Sequence, residues 1–208
     1  YHFIKGQLVI EKLDDKDKIS LESYCKKIKI PFVDMGKFED KKVINAGIKI
    51  KEYFDRPKNE APREVIRKEI EEFIKENNTC SISRGYEDFL RSTPIEYEYF
   101  QGNFYFISEG GLKFVGILQN KNISVSIYEN YTDMNHLNGL QISGEVELLD
   151  YWSSEYEKVL KLKKIGVDRF KNLPISMNII KVKPSKFEFL YSKFKEMGYD
   201  IKQNLINA

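Results

Sequence analysis

The chain has 208 residues, enough for one sizeable hydrophobic core with a small appendage. Its hydrophobic content of 41% and aromatic content of 13% exclude a disordered protein, and the abundant Tyr and Phe favour sheet over an all-helical bundle. Lys and Arg total 34 against 32 Asp and Glu, so charge gives no case for nucleic acid as the main partner, and no apolar run is long enough to cross a membrane.

Residues 1–60 are predicted to form a small mixed α/β extension. Phe3–Leu13 is predicted as a strand, and Ser20 as the cap of a short amphipathic helix that Pro31 ends. Lys41–Phe54 has the apolar spacing of a second helix. A polar stretch with two prolines follows and is typical of a hinge, so a separate domain is predicted to begin after it.

The predicted main domain, residues 61–208, opens with a helix and continues with short strands. Pro62 suits the first helical position, an apolar stripe follows, and Asn77-Asn78 closes the helix. Gln101-Gly102 is typical of a tight hairpin turn. A short helix is predicted over Gly111–Gln119. The predicted strands are Thr79–Ser83, Thr93–Phe100, Asn103–Ser108, Ile123–Tyr128 and Gly139–Leu149.

The last third of the chain adds one predicted helix and two predicted strands. The capping box Ser154-x-x-Glu157 opens the helix, and Gly166 is its predicted end. Met177–Val182 and Lys186–Tyr191 alternate as separate strands on either side of a proline. Many short strands and few helices predict a mainly β fold, an antiparallel barrel with peripheral helices.

Cysteine and histidine are scarce. Cys25 and Cys80 lie far apart, so they form neither a disulfide framework nor a CxxC motif, and we expect small buried thiols in a reducing, cytoplasmic setting. His2 and His136 are the only histidines, which argues against a structural zinc site and a Ser-His-Asp triad. No metal site is therefore predicted, and His136 is expected on an exposed polar loop.

The segment Phe104–Lys113 joins a strand to a glycine turn and a basic helix start. Gly110 and Gly111 allow backbone N–H groups to turn toward an anion, the next helix supplies its positive end, and Lys113 adds a charge. Ser108 adds a hydroxyl where the strand ends. Together these residues predict a phosphate site, although the glycine pair taken alone is more often a simple turn into a helix.

Two further strand motifs accompany this turn. One opens at Arg91, and the other places Gln141 and Ser143 on the same side of a strand, two residues apart. In order and content, these motifs resemble the pyridoxamine 5′-phosphate oxidase-related family of FMN-binding split barrels over residues 62–208, in its nitroimidazole-resistance and general flavin-reductase-like branch. The resemblance implies a six-stranded antiparallel Greek-key split barrel, and a homodimer with two FMN sites at its interface.

The resemblance also implies which residues contact the cofactor. One group lies along the flavin, a second holds its phosphate, and a third reaches it from the next strand or from the partner subunit. The first group is Arg91, Ser92 and Thr93, the second is Ser108, Gly111 and Lys113, and the third is Gln141 and Ser143. From the residues alone, Arg91 is equally typical of a solvated strand end, and Gln141 of a cross-strand hydrogen-bond partner.

The chain departs from the family pattern in two places. Leu112 and Phe114 stand where the family often has Ser and Lys, so one hydroxyl and one charge are missing. This predicts either a weaker phosphate affinity or a charge supplied from elsewhere. No histidine follows His136, so the Arg-x-His that grips the substrate in true pyridoxamine-phosphate oxidases is absent, and we expect no vitamin B6 oxidation.

The implied function is that of an FMN-dependent oxidoreductase that passes electrons from a reduced nicotinamide to a flavin, a quinone or a nitro compound. The flavin carries the redox chemistry, so no side chain is predicted as a nucleophile or general base. The alternative is a non-catalytic protein that binds or senses flavin or heme. Three weaker alternatives are a cofactor-free structural dimer, a deazaflavin in place of FMN, and His136 as a proton donor or axial ligand near the flavin.

Overall fold

The computed structural model describes residues 2–4, 7–9, 14–27, 32, 45, 47–49 and 57–206. The chain divides into two compact units, Tyr1–Pro57 and Lys58–Ala208. In the first unit, two short strands pair in antiparallel fashion and a helix follows them along the chain. These elements are β1 (His2–Ile4), β2 (Gln7–Val9) and α1 (Asp15–Lys27).

The first unit differs from the prediction at its strand. The predicted strand Phe3–Leu13 is a hairpin of β1 and β2 as far as residue 9, and residues 10–13 lie outside the described part. Most of the predicted helix Lys41–Phe54 also lies outside it, but residues 45 and 47–49 are described and are helical.

The prediction that Ser20 caps the first helix is wrong, because the cap is Asp14, six residues earlier. Helix α1 begins at Asp15 because the Asp14 Oδ1 atom accepts a hydrogen bond of 2.7 Å from the Asp17 backbone N–H, which satisfies a donor at the helix start. Ser20 lies inside the helix instead, where its hydroxyl donates to the Lys16 carbonyl at 3.0 Å.

The second unit contains a sheet and five helices among its described residues. The strands are β3 (Thr79–Tyr86), β4 (Phe89–Glu96), β5 (Glu98–Phe100), β6 (Asn103–Ser108), β7 (Asn122–Tyr128), β8 (Asn138–Leu148), β9 (Asn178–Tyr191) and β10 (Lys202–Ile206). The helices are α2 (Arg63–Glu76), α3 (Lys113–Ile117), α4 (Ser154–Leu162), α5 (Val167–Lys171) and α6 (Ser192–Glu196). None of the described helices is long and apolar enough to span a membrane.

The strands form one antiparallel sheet in the order β4-β3-β7-β8-β9-β6-β5, with β10 paired to the second half of β9. Strands β4 and β5 stand at the two edges of this order, but only Tyr97 separates them along the chain. One bent stretch of chain therefore belongs to both edges, and the sheet closes into a barrel. Tyr97 is buried, and its hydroxyl donates to the carbonyls of Ile74 and Asn77, both at 2.8 Å. The predicted mainly β fold is confirmed, whereas the count of six strands is not, because the sheet has eight.

Strand β9 runs without a break where two strands were predicted. Pro184 is tolerated because a β-bulge lies beside it: the register passes from Ser143–Lys186 to Gly144–Pro184 and skips Ser185. Gly144 is required at the bulge because a Cβ there would lie 2.5 Å from the carbonyl oxygen of Lys183.

Several helix ends also differ from the predictions. Ser153, not Ser154, caps α4, because its hydroxyl accepts from the Tyr156 N–H at 3.2 Å. Gly166 precedes α5 and does not end α4, and α3 is shorter than the predicted Gly111–Gln119. The sequence pattern missed α5, α6 and β10. By contrast, strand Asn103–Ser108 and the Gln101-Gly102 turn, with positive φ at both residues, are confirmed.

The core of the second unit lies inside the barrel and under α2. Strand β6 contributes Phe104 and Phe106 to it, and β9 contributes Phe189, all fully buried. A smaller cluster, which includes Tyr105 and Tyr156, lies on the other side of β6 beneath α4. The barrel interior is thus filled by side chains, which leaves its outer face and its open ends as places for a ligand.

Candidate functional site

Small hydroxyl side chains line the outer face of four neighbouring strands. Along β7 and β8, buried residues alternate with serines and other polar residues that face outward. The strand registers align four of the serines in a row about 14 Å long, at about 4.8 Å per strand. In order across the strands, the row is Ser92, Ser83, Ser124 and Ser143.

A second row runs beside the first and contains Ser81, Ser126 and Gln141. We call the seven residues of the two rows the hydroxyl face. Within it, the Ser83 hydroxyl donates to the Ser92 hydroxyl at 2.9 Å. The Ser81 hydroxyl lies 3.4 Å from the phenol oxygen of Tyr128.

A pocket of about 440 Å³ opens on the hydroxyl face beside the bulge. It is lined by Asn122, Ile123, Ser124, Ser143, Gly144, Glu145 and Ser185. Glu145 is the only charged residue of this lining, so the pocket repels a phosphate. It suits a ligand part that offers hydroxyl or amide groups, because serine hydroxyls both donate and accept hydrogen bonds.

One end of the barrel carries cations on the inner side of the sheet. Arg84 alternates along β3 with the buried Cys80 and Ile82, so its side chain points inward, and it lies opposite Arg91 of β4. Helix α3 packs against the same two strands and begins at Lys113. We call Arg84, Arg91 and Lys113 the cationic end.

The predicted phosphate turn leads from β6 to this end. Ser108 is buried at the end of β6, and its hydroxyl accepts from the Gly110 N–H at 3.2 Å. Gly110 and Gly111 have φ values of +126° and +92°, a conformation that favours glycine, and a Cβ on Gly110 would meet nothing within 4 Å. The Lys113 ammonium donates to the Gly110 carbonyl, so this side chain folds back over its own turn.

Arg84 is the functional candidate that the sequence pattern missed. It is 7% exposed, and its Nη2 atom donates to the Asn122 carbonyl at 3.4 Å and to the Asn120 carbonyl. Its Nε and Nη1 atoms are buried with no hydrogen-bond partner among the described residues. Burial lowers the pKa of its guanidinium from the ordinary value. The predicted strand stopped at Ser83, so nothing in the sequence marked Arg84 as an inward-facing residue.

The structure divides the predicted cofactor residues into three groups. Ser92, Gln141 and Ser143 belong to the hydroxyl face, whereas Arg91 and Thr93 point to the opposite side of β4, because Thr93 lies opposite the buried Ile82. Ser108, Gly111 and Lys113 lie on the turn from β6 to α3. Side chains at three successive strand positions cannot all contact one face of a ligand. Their cofactor roles stay predictions.

Cations beneath α4 are paired, unlike those of the cationic end. The Glu155 carboxylate accepts hydrogen bonds of 2.7 Å from both the Lys181 ammonium and the Tyr105 hydroxyl. The hydrogen bond from Lys181 lowers the pKa of Glu155, and burial raises the pKa of Tyr105. In contrast, no ion pair within 4.0 Å involves Arg84, Arg91 or Lys113 across the part of the chain that is described.

His136 lies on the exposed loop between β7 and β8, as predicted. Its Nδ1 atom is 2.9 Å from the Asp133 carboxylate, so a local turn explains its position. No group of three or more His, Cys, Asp or Glu side chains within the described ranges could hold a metal ion. Cys25 and Cys80 are both buried, as predicted, and burial raises the pKa of the Cys80 thiol to about 12.

Three solved structures share this fold. ChuZ of Campylobacter jejuni is 16% identical, with 93% of this chain and 88% of that chain covered and a TM-score of 0.55. A conserved hypothetical protein of Mycobacterium tuberculosis is 14% identical, with 62% and 86% of the two chains covered and a TM-score of 0.50. A heme binding protein of Mycobacterium smegmatis is 10% identical, with 64% and 55% covered and a TM-score of 0.50.

No protein-family model and no curated protein matches the sequence. At these low identities, the structural matches concern the fold alone. The predicted split-barrel fold is confirmed.

Proposed function

We propose that the chain is a flavoprotein that binds FMN and passes electrons from a reduced nicotinamide to a small acceptor, such as a flavin, a quinone or a nitro compound. The observation that carries the proposal is the cationic end, where the glycine turn after Ser108 lies beside cations without a carboxylate partner in the described part of the chain. A phosphate dianion requires cations that no carboxylate neutralises and a turn that can offer it hydrogen-bond donors.

The residues of the turn fit the FMN phosphate. Ser108 offers a hydroxyl, Gly110 and Gly111 leave room for a close approach of the phosphate oxygens, and Lys113 offers an ammonium. The ammonium now donates to a carbonyl of its own turn. A phosphate is the stronger acceptor because it is charged, so we expect Lys113 to exchange the Gly110 carbonyl for a phosphate oxygen.

The hydroxyl face lies on the other side of the same strands, so the cofactor of this proposal passes over the end of the barrel and places its uncharged part there. Its side chains are small, so a flat ring can approach the strands closely, and serines and Gln141 can bond to ring carbonyls and to ribityl hydroxyls. The bound flavin supplies the electron transfer, and no side chain has to act as nucleophile or general base. A homodimer is part of the proposal, because a second copy would cover a cofactor that lies on an exposed strand face.

A non-catalytic binder of flavin or heme is the second candidate. It is favoured by the fold shared with the heme binding protein of Mycobacterium smegmatis. The cationic end suits heme propionates as well as a phosphate, since both are anions. His136 is the only histidine whose side chain is described, and it is exposed on its loop, where it could meet an iron only after leaving Asp133.

The absorbance spectrum of the purified protein, with mass analysis of the released ligand, separates the candidates. FMN predicts flavin bands and the mass of FMN, whereas heme predicts a Soret band. Oxidation of NADH or NADPH with an acceptor present then distinguishes an enzyme from a binder, because a binder shows full flavin occupancy without reduction by either nucleotide. Colourless protein that takes up no added FMN would contradict the proposal. The proposal also places the protein in the cytoplasm.

A further inference from the structure

Arg84 is a buried cation whose hydrogen bonding is incomplete within the described residues. A buried guanidinium loses its hydration, and protein interiors offset this with carboxylates or a full set of hydrogen bonds. Arg84 is 7% exposed, yet only its Nη2 atom has partners, and these are two neutral carbonyls. Its Nε and Nη1 atoms have none within the described ranges. Native structures leave few such donors, and each requires an explanation.

The surroundings of Arg84 point to an anion as the missing partner. The exposed Arg91 lies opposite it on the same side of the sheet, so its positive charge adds to the attraction for an anion. Asn120 and Asn122 hold one edge of the guanidinium through their carbonyls, which leaves the Nε and Nη1 donors for another acceptor. The Nε and Nη1 donors lie on opposite edges of the guanidinium, so either one can give a charge-assisted hydrogen bond to a phosphate oxygen.

Helix α3 is the element that covers these donors. A Cβ on Gly116 would lie 3.4 Å from both Cδ and Nε of Arg84, so the helix backbone rests directly on the arginine stem. The helix has five residues and follows the Gly110-Gly111 pair, whose positive φ values make this link the natural place for it to pivot. A phosphate held by the turn would therefore lie at the same helix that covers Arg84.

We propose that Arg84 is a phosphate-binding residue and supplies the charge that Leu112 and Phe114 leave missing from the turn. The ligand group is a phosphomonoester, held by one of the free guanidinium donors of Arg84 together with Lys113. A small shift of α3 about its glycine link gives the phosphate access. That the phosphate belongs to FMN rests on the proposed function, whereas the presence of an anion site does not.

The first test compares FMN with riboflavin, which lacks the phosphate, on the full chain and its Arg84→Met variant. Methionine keeps an unbranched stem under Gly116 and removes the donors. We expect Arg84→Met to weaken FMN binding about 10- to 100-fold and to leave riboflavin affinity unchanged, because one charge-assisted contact is lost. Arg169→Met, on the exposed Arg169 of α5, is the control and should change neither. Equal losses for both ligands, or no loss, would overturn the assignment.

The second test needs no flavin. The Nε–H resonance of Arg84 is followed by NMR in the wild-type chain, assigned with the Arg84→Lys variant, while inorganic phosphate is added. A saturable shift supports the anion site, and an unmoved resonance up to high phosphate concentration contradicts it. If the protein binds no flavin but this resonance shifts, the proposed function fails and the anion site stands. If FMN binds and neither test responds, only the role of Arg84 fails.

Discussion

Two poorly exposed cations of this molecule, Lys181 and Arg84, have opposite surroundings. Beneath α4, the Lys181 side chain is 12% exposed and is neutralised by Glu155, whose carboxylate is held in turn by the Tyr105 hydroxyl. At the cationic end, Arg84 is buried just as deeply and lies opposite another arginine, with no carboxylate partner among the described residues. Lys181 therefore has its counter-ion within the chain, whereas Arg84 has none among the described residues.

The difference separates a structural cation from a binding one. A paired cation has little left to offer a ligand, since its charge and donors are already used. An unpaired buried cation lowers the stability of the empty protein, and proteins commonly accept that cost at functional sites. The cationic end is therefore the better guide to function than the more conspicuous ion pairs, and the four predictions below test this distinction.

The largest expected effect is on FMN binding when a cation of the cationic end is removed. Lys113→Ala should weaken FMN binding by about 1.5–3 kcal/mol, because one charge-assisted contact to the phosphate is lost. Riboflavin binding should not change. Fluorescence titration of both ligands measures this, with Lys195→Ala on the exposed Lys195 of α6 as the control. An unchanged FMN affinity in Lys113→Ala would mean that this cation is as structural as Lys181.

Loss of the counter-ion of Lys181 should lower stability and leave flavin binding unchanged. Glu155→Gln should lower the free energy of unfolding by about 1–2 kcal/mol, because Lys181 loses its counter-ion and Tyr105 a charged acceptor. FMN affinity should stay the same. Denaturant unfolding measures the loss, and Glu157→Gln is the matched control, since Glu157 lies in the same first turn of α4. A loss of flavin binding in Glu155→Gln would place the cofactor beneath α4 instead.

The hydroxyl face should affect both flavins equally. Ser124→Val removes a hydroxyl from the centre of the serine row and should weaken FMN and riboflavin alike by about 1 kcal/mol. The reason is that this face contacts the ring and ribityl chain that both ligands share. Ser176→Val, at an exposed serine outside the strands, is the control. A selective loss of FMN would show instead that the phosphate lies on the hydroxyl face.

The smallest expected effect is the pH dependence of the stability that the Glu155–Lys181 pair provides. The hydrogen bond from Lys181 lowers the pKa of Glu155 below its ordinary 4.5, so Glu155 stabilises the fold above that pH and the contribution is lost as the pH falls through the folded pKa. Solvent screening keeps the contribution below about 1 kcal/mol. The difference in unfolding free energy between wild type and Glu155→Gln should shrink from pH 6 to pH 3. A constant difference would contradict the pairing.

Most of the barrel could be predicted from the sequence, because its signals are local. Strand Asn103–Ser108 and the Gln101-Gly102 turn follow from alternation and turn chemistry, and both are as predicted. Strand β9 was divided at Pro184 because a proline normally stops a strand. What allows it to continue is the bulge at Ser185 in β9 together with Gly144 opposite it on the neighbouring strand, a tertiary feature that no local pattern reveals.

The candidate site was predictable in part for the same reason. Serines that alternate with buried residues marked one face of a strand, so Gln141 and Ser143 could be paired in advance, whereas the row they join depends on strand register. The sequence did not identify Arg84 as a site residue, because an arginine between Ser83 and Gly85 is typical of a solvent-exposed strand end. Its burial is created by Gly116 and α3, about thirty residues further along the chain.

The affinity of the wild-type chain for FMN relative to riboflavin tests the role of the cationic end most directly. The two ligands share the ring and the ribityl chain, so any difference in their dissociation constants comes from the phosphate. With Lys113 and Arg84 as phosphate-binding residues, FMN should bind at least about tenfold more tightly than riboflavin, and added inorganic phosphate should weaken FMN alone. Equal affinity for the two ligands, or binding of neither, would contradict a phosphate site at this end of the barrel.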